Sequence, residues 1–333
     1  MIIIIGATGF IGTYLTDALI KEGHNIIAAG RRLSALKYYK DNDITCVEID
    51  ITQKDDFLKL PTNGIDAVIL LAALLPANTT IDDPYAYVNI NINGTLNVLE
   101  YCKKANVKKL ISTTSYADIQ GYWTKDIALK DDTPRFFNLR DDHACYIISK
   151  NAATDFILHY NEKYDMKGVV FRLPPVYGVG PHSEIYVDGK LYKSGFQIFL
   201  EKAINGEIIE INGDKNVSRD IVSVKDVVSA FIKVIKSDNA IGIYNISSGV
   251  AISLEEQVQF IIEVFSRPEK KSTIKYCPEK INNSKSYLLD ISKAKKDFEY
   301  NPQLSLFKDL LIDYKNELEN RHFTLFFEDR KKR

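Results

Sequence analysis

Two side chains, Tyr146 and Lys150, lie four positions apart and could act together as an acid–base pair. Residues with this spacing share one face of a helix. An ammonium group beside a phenol favours the phenolate, which lowers the pKa of the tyrosine toward working pH. Such a group can exchange a proton with an alcohol or a carbonyl. The pair is therefore the predicted catalytic centre, and the alternative is two residues on a solvated helix face.

A glycine-rich turn near the start of the chain would position a nucleotide. The apolar run Ile2–Ile5 is typical of a buried parallel strand, and residues 10–22 have the pattern of a helix. Between them, Gly6 permits a tight turn, Gly9 allows backbone to approach a pyrophosphate, and Gly12 lets the helix lie close to the sheet. The alternative is an ordinary turn that happens to contain three glycines.

Six further segments match one family pattern in order and at its spacing. They are Asp50-Ile51, Leu71-Ala72-Ala73, 91–98, 171–178, 218–224, and 287–300 with Pro302. Together with the glycine turn and the Tyr-x-x-x-Lys pair, they resemble the extended short-chain dehydrogenase/reductase family of nucleotide-sugar epimerases, dehydratases and reductases. The resemblance runs from residue 2 to about residue 310.

This resemblance implies a set of cofactor contacts. Asp50 and Ile51 correspond to the pair that holds the adenine, and Leu71 to Ala73 correspond to the strand end beneath the cofactor. Lys150 would also hold the nicotinamide ribose. The full set is Gly6, Thr8, Gly9, Phe10, Ile11, Gly12, Arg31, Arg32, Asp50, Ile51, Leu71, Ala72, Ala73, Asn91, Thr113, Tyr146, Lys150, Leu173 and Pro174.

The resemblance also implies a third catalytic hydroxyl, which would orient the reacting sugar oxygen. The family pattern places it at Ser115, with Thr114 as the alternative. Dehydratases of the family carry Asp-Glu directly after this hydroxyl, whereas Tyr116 and Ala117 follow it here. Dehydration is therefore not expected. A polar strand end that bonds its own backbone is the alternative for any single hydroxyl here.

The predicted substrate residues are Thr114, Ser115, Tyr116, Pro175 and Arg219. Arg219 matches the family position that pairs with a diphosphate, which a planar guanidinium binds with two hydrogen bonds. The alternative is a structural ion pair with Asp220. Pro175 stands where many epimerases carry asparagine, and residues 282–285 replace the R-P-G-D stretch of many relatives. A sugar other than galactose or glucose is therefore an open alternative.

The end of the second strand bears on the choice of cofactor. An acid there binds the ribose 2′-hydroxyl of NAD, whereas arginine accommodates the phosphate of NADP. This chain has Gly30-Arg31-Arg32. NADP(H) is therefore favoured, and NAD(H) is acceptable if Arg31 only stacks on the adenine.

Composition excludes several other classes of protein. With 333 residues, 45% of them hydrophobic, the chain is long enough for about two domains. A net charge of −1 gives no basic field for nucleic acid, and no apolar stretch reaches membrane length. We expect the apolar opening to be a strand and not a signal peptide. We expect a cytoplasmic protein. The four cysteines and five histidines form no disulfide framework and no metal-binding spacing, so no metal is predicted.

Alternating strand and helix patterns predict an α/β, Rossmann-type doubly wound parallel sheet with a smaller α/β C-terminal substrate lobe. The expected strands after the first are 25–29, 45–48, 66–71, 109–113 and 168–173, and those of the lobe include 207–211, 243–246 and 273–276. The expected domains are a dinucleotide-binding domain at 1–173, a substrate-binding lobe at 174–320, and an extension at 321–333. The aromatics of the extension would pack on the body or on a second subunit of a homodimer.

The predicted activity is epimerisation of a nucleoside-diphosphate sugar through a 4-keto intermediate, with hydride transfer at sugar C4. Tyr146 would exchange the hydroxyl proton, Lys150 would lower its pKa, and Ser115 would orient the reacting oxygen. Three alternatives remain: an NADPH-dependent reductase of a nucleotide 4-keto sugar, a reductase of small carbonyl compounds, and a catalytically silent cofactor-binding sensor.

Overall fold

The computed structural model describes most of the chain. The described residues are 1–31, 39, 43–76, 83–124, 126–141, 143–181, 184–187, 190–282, 284–323 and 327. Of the predicted site residues, Arg32 lies outside these ranges.

Seventeen strands form within the described residues. They are β1 (Ile2–Ile5), β2 (Ile26–Gly30), β3 (Thr45–Glu48), β4 (Ala67–Leu70), β5 (Lys109–Ser115), β6 (Ala128–Leu129), β7 (Val169–Leu173), β8 (Val176–Tyr177), β9 (Glu184–Val187), β10 (Lys190–Lys193), β11 (Ile209–Asn212), β12 (Ser218–Asp220), β13 (Val222–Ser223), β14 (Gly242–Asn245), β15 (Ala251–Ser253), β16 (Ile274–Cys277) and β17 (Leu288–Leu289).

The α-helices are α1 (Phe10–Lys21), α2 (Pro84–Tyr87), α3 (Gly94–Lys104), α4 (Ala144–Tyr164), α5 (Gly195–Asn205), α6 (Val224–Lys236), α7 (Leu254–Phe265), α8 (Ser292–Phe298) and α9 (Phe307–Asn320). Two 3₁₀ segments, Lys54–Lys59 and Tyr116–Tyr122, and one π-helical segment, Val88–Asn93, complete the helical elements of the described chain.

The central sheet has seven parallel strands in the order β14-β7-β5-β4-β1-β2-β3. The predicted α/β doubly wound fold is confirmed. One expectation about the strands was wrong, because segment 243–246, assigned to the smaller lobe, pairs instead with β7 as the outer strand of this sheet. A short apolar run does not indicate which strand it pairs with, so the sequence could not show that this segment returns to the central sheet.

Side chains of successive strand residues point to opposite faces, and β1 illustrates the result. Ile2 and Ile4 belong to a core shared with α1 and α6, whereas Ile3 and Ile5 belong to a core shared with α3 and α4. All four are almost completely buried. A strand covered on both faces must be apolar throughout, which explains the uninterrupted run of isoleucines.

A third core forms the smaller lobe. Helices α5, α7 and α9 pack there around the strand pairs β11–β16 and β12–β15. A capping box begins α7, in which Ser253 and Glu256 each bond the backbone N–H of the other.

Candidate active site

The glycine turn joins β1 to α1 where backbone segments approach closely. Gly6 has φ = +96°, and a Cβ there would lie 2.7 Å from the backbone nitrogen of Ala72. A Cβ on Gly12 would clash with the carbonyl oxygen of Gly6, and one on Gly9 would lie 3.1 Å from that oxygen. Only glycine fits at positions 6 and 12. At Gly6 the reasons are the positive φ and the contact with the Ala72 backbone, and at Gly12 the reason is the contact with the Gly6 carbonyl oxygen.

Helix α1 begins at this turn without a capping side chain. Gly9 is its N-cap and is extended, with φ = −75°. The first N–H groups of a helix have no partner within the helix, so they attract an anion, and the helix dipole adds to this effect. The turn thus fits a pyrophosphate. The ring of Phe10 packs beside Gly178 and Gly180, so its predicted contact with a cofactor would come through its backbone.

Two polar side chains lie near the ends of β2 and β3. One carboxylate oxygen of Asp50 accepts hydrogen bonds from the backbone N–H and hydroxyl of Thr52, at 2.9 and 2.8 Å. The guanidinium of Arg31 lies 3.9 Å from the other oxygen, and its side chain is 62% exposed. Arg31 is therefore held only loosely and can reach a ligand.

Asn91 and Asn97 hold the segments that follow β3 and β4 in place. The Asn91 side chain donates to the Leu74 carbonyl oxygen and to Ser149 Oγ, at 3.1 and 2.9 Å, and accepts from the Leu74 N–H at 2.8 Å. Asn97 donates to the Ile51 carbonyl oxygen at 2.8 Å. Both amide hydrogens of Asn91 are thus used within the protein, and its amide ties the loop after β4 to α4.

The other predicted cofactor residues lie along the carboxyl ends of the strands, where doubly wound sheets bind their ligands. Thr8 and Ile11 lie between the glycines of the turn. The rest are Leu71, Ala72 and Ala73 after β4, Thr113 in β5, and Leu173 and Pro174 at the end of β7.

Tyr146 and Lys150 lie one turn apart in α4, which packs against β5, β7 and the 3₁₀ segment Tyr116–Tyr122. Burial lowers the pKa of Lys150 to about 8, and no charged group in the described chain opposes this effect. The lysine is 7% exposed. A buried ammonium without a carboxylate partner is costly, so it fits a site completed by polar groups of a ligand such as ribose hydroxyls.

The pKa of Tyr146 differs from the sequence-based expectation. Burial raises it above its ordinary value, and Tyr87 and Asp118 act in the same direction. Lys150 does not lower it within the protein alone. The main cause is that a buried phenolate loses its hydration.

The structure separates the two candidates for the third hydroxyl. Thr114 and Ser115 are neighbours on β5 and so point to opposite faces. Thr114 is 4% exposed, and its hydroxyl has no partner among the described residues. Ser115 is partly exposed and accepts a hydrogen bond from the Ala117 N–H at 3.2 Å. Because this bond uses only an oxygen lone pair, the Ser115 proton can be donated to a reacting oxygen.

Three aromatic rings form a cluster beside Ser115. Tyr116 stacks on Trp123 with centroids 4.9 Å apart and an interplanar angle of 12°, and Tyr287 contacts both rings at 4.8 and 5.0 Å. The sequence analysis assigned Tyr287 no role at this site. The position of Tyr287 beside these rings could not be inferred, because Tyr287 lies more than 150 residues after Tyr116 and Trp123 in the sequence.

Arg219 lies next to this cluster. Burial raises the pKa of Tyr116, and the Arg219 charge acts in the opposite direction. Arg219 donates to Ser284 Oγ. Its neighbour Asp220 is completely buried and instead accepts from Ser248 and the Leu289 N–H, so the alternative of an Arg219–Asp220 ion pair was wrong. Adjacent strand residues point apart, which explains the separation.

Pro175 follows the end of β7, and its carbonyl oxygen accepts the Val222 N–H at 3.2 Å. This bond holds the segment that enters the smaller lobe against β13.

Arg172 and Asp118 form a buried ion pair that the sequence analysis did not assign. Arg172 donates from Nε to Asp118 Oδ1 and from Nη2 to Asp118 Oδ2, both at 3.0 Å, and the two side chains are 1% and 3% exposed. Its Nη1 donates to the Asp131 carbonyl oxygen at 3.1 Å. The pair joins the sheet to the segment that follows Ser115. A single arginine within the apolar strand β7 was the available signal.

The fold and site define a class: a doubly wound dinucleotide-binding protein with a hydroxyl, a tyrosine and a lysine at the carboxyl edge of its sheet. Within the part of the chain that the structure describes, no helix is both long and apolar enough to cross a membrane, and no group of acidic, histidine or cysteine side chains could hold a metal.

Comparison with known proteins identifies the family. The model of the NAD-dependent epimerase/dehydratase family matches residues 2–247, and the chain belongs to this family. This confirms the resemblance found in the sequence motifs.

Individual relatives agree with this assignment. A UDP-glucuronate 4-epimerase from Thermodesulfobacterium geofontis is 29% identical over 319 residues, which cover 91% of this chain and 92% of the relative. A UDP-glucose 4-epimerase from Mycolicibacterium smegmatis is 25% identical over 316 residues, covering 91% and 94%. The solved structure of WbmH from Bordetella bronchiseptica in complex with NAD⁺ is 25% identical, with a TM-score of 0.70 and coverage of 96% and 98%.

Proposed function

We propose that this protein is an NAD(P)-dependent 4-epimerase of a nucleoside-diphosphate sugar that works through a 4-keto intermediate. One observation carries the proposal: α4 bears Tyr146 and Lys150 and packs on the strand that ends at Ser115, at the sheet edge where the glycine turn lies. The relatives named as UDP-sugar 4-epimerases support it.

In this proposal the dinucleotide, when bound, supplies the hydride acceptor and donor. Tyr146 takes the proton of the sugar C4 hydroxyl during oxidation and returns it during reduction. Ser115 donates its proton to the same oxygen and stabilises the charge that develops there. Lys150, which is buried and without a charged partner, binds the ribose hydroxyls and places its charge near the phenol.

An epimerase must also let the keto sugar turn while it stays bound. Arg219 and Ser284 lie in the smaller lobe beside Tyr116 and would hold the diphosphate. A substrate held by its diphosphate leaves the sugar free to present its other face. The aromatic cluster would border the space in which the sugar turns.

The second candidate is an NADPH-dependent reductase of a nucleotide 4-keto sugar, and Arg31 is the observation that favours it. The exposed guanidinium of Arg31 at the end of β2 can bind a 2′-phosphate. We propose that NADP(H) is preferred for this reason, although the solved WbmH relative holds NAD⁺.

Arg31→Ala tests the cofactor preference. The variant should weaken the binding of NADP by about 1.5–3 kcal/mol more than the binding of NAD. Only NADP has a 2′-phosphate, so only NADP loses a charge-assisted hydrogen bond to the guanidinium. Fluorescence titration with each dinucleotide measures the effect, and NAD serves as the internal control. Equal weakening of both would mean that Arg31 only stacks on the adenine.

Arg219→Ala tests the substrate class. The KM for a nucleotide sugar should rise about 30- to 150-fold, which corresponds to about 2–3 kcal/mol of lost charge-assisted bonding, while dinucleotide affinity is unchanged. Arg219→Lys should restore only part of it, because a point charge cannot make two parallel bonds. Lys275→Ala, which removes an exposed cation of the same lobe, is the matched control and should leave the KM unchanged.

Activity and binding assays together distinguish the four functions. Tightly retained NAD(H) with interconversion of UDP-sugar epimers supports the epimerase, and readily exchanged NADPH with consumption of a keto sugar supports the reductase. Bound dinucleotide without turnover of any keto sugar supports the sensor. If calorimetry with dinucleotide present detects no binding of UDP, GDP, CDP or dTDP, the nucleotide-sugar proposal fails and reduction of small carbonyl compounds replaces it.

A further inference from the structure

Two aromatic side chains of the C-terminal extension pack on the helix that begins at the glycine turn. Phe323 and Phe327 are 8% and 4% exposed. The ring of Phe323 stacks on Tyr14 of α1 with centroids 3.8 Å apart, and Phe327 lies 6.5 Å from Phe10. Of the two alternatives for these aromatics, the structure therefore has them pack on the body of the same chain.

Tyr14 links α1 to two other parts of the molecule. Its hydroxyl lies 3.0 Å from the carbonyl oxygen of Val179 and 2.7 Å from the carboxylate of Glu317, and it has one proton to donate to them. Glu317 also pairs with Lys225 of α6 at 3.1 Å. One buried phenol thus contacts the loop after β8 and the last long helix, α9.

Phe10 extends this junction to the first turn of α1. Its ring meets Tyr14 edge to face, with centroids 5.7 Å apart. It also packs beside Gly178 and Gly180, where an added Cβ would crowd the ring. The backbone of Phe10 belongs to the turn that fits the pyrophosphate, so the packing of its ring helps to fix the position of that turn.

We propose that Tyr14, Phe323 and Phe327 form a tail clasp that positions the first turn of α1, and hence the dinucleotide, against the loop 178–180. The three are positioning residues, because none of them lies at the glycine turn itself. The inference deepens the proposed function, since it assigns the extension a role in cofactor binding at the same site.

Tyr14→Phe is the sharpest test, because it keeps the stacked ring and removes only the bridging hydroxyl. The dissociation constant of the dinucleotide should rise about fivefold, which corresponds to one lost hydrogen bond. Phe327→Ala should raise it by about tenfold, because the contact with Phe10 is lost. At saturating dinucleotide kcat should return to within about twofold of wild type, as a positioning role requires.

Tyr244→Phe is the matched control. Tyr244 lies in the outer strand β14, is fully buried and donates to Asp297 at 2.8 Å. The variant therefore removes a comparable hydroxyl–carboxylate bond away from the glycine turn. It should lose similar stability in denaturant and keep wild-type dinucleotide affinity. The proposal is overturned if Tyr244→Phe weakens the dinucleotide as much as Tyr14→Phe does, or if Tyr14→Phe and Phe327→Ala both bind it like wild type. These titrations need no sugar, so failure of the proposed epimerase activity leaves their outcome intact.

Discussion

Tyr146→Phe should lower turnover of the nucleotide sugar by roughly a hundredfold or more. The variant keeps the ring, which lies 6.3 Å from that of Tyr87, and removes the only proton that the side chain can transfer. Dinucleotide affinity should stay nearly intact, because the backbone of the glycine turn and Lys150 are unchanged. Steady-state kinetics and dinucleotide titration on the same preparation measure the two effects.

Tyr164→Phe provides a control on the same helix. Tyr164 lies about five turns from Tyr146, at the end of α4, and should keep full turnover when its hydroxyl is removed. Near-normal activity of Tyr146→Phe would remove Tyr146 from the mechanism. A parallel loss in both variants would point instead to disturbance of α4.

Arg172→Met should lower the free energy of unfolding by about 3–5 kcal/mol. The substitution leaves the Asp118 carboxylate buried without its partner, and burial already raises the pKa of that group. The cost arises because the interior cannot solvate the remaining charge. Equilibrium unfolding in denaturant measures the change.

Two further variants isolate the cause. Combining Arg172→Met with Asp118→Asn removes the unpaired charge and should recover part of the loss. Arg135→Met breaks a two-bond contact with Asp155, whose side chain is 60% exposed, and should cost at most about 1 kcal/mol. A loss for Arg172→Met no larger than that for Arg135→Met would mean that the buried pair contributes little.

Local patterns in the sequence were sufficient for the fold class and for the residues proposed to act on a single element. The run of isoleucines in β1 follows from burial on both faces, and the glycine spacing follows from a turn that must bring three backbone segments together. Tyr146 and Lys150 share a helix, so their placement on one helix face follows from their spacing of four residues alone. Each inference used neighbours close in the chain.

Only the tertiary structure decided which distant segments meet. The outer strand β14, the partners of Arg219, and the packing of Phe323 on Tyr14 all join residues far apart in sequence. The pKa of Tyr146 belongs to the same group, since it depends on burial by surrounding elements more than on the lysine four residues away. Periodicity records which face of an element is apolar but not what covers it, and desolvation depends on that cover.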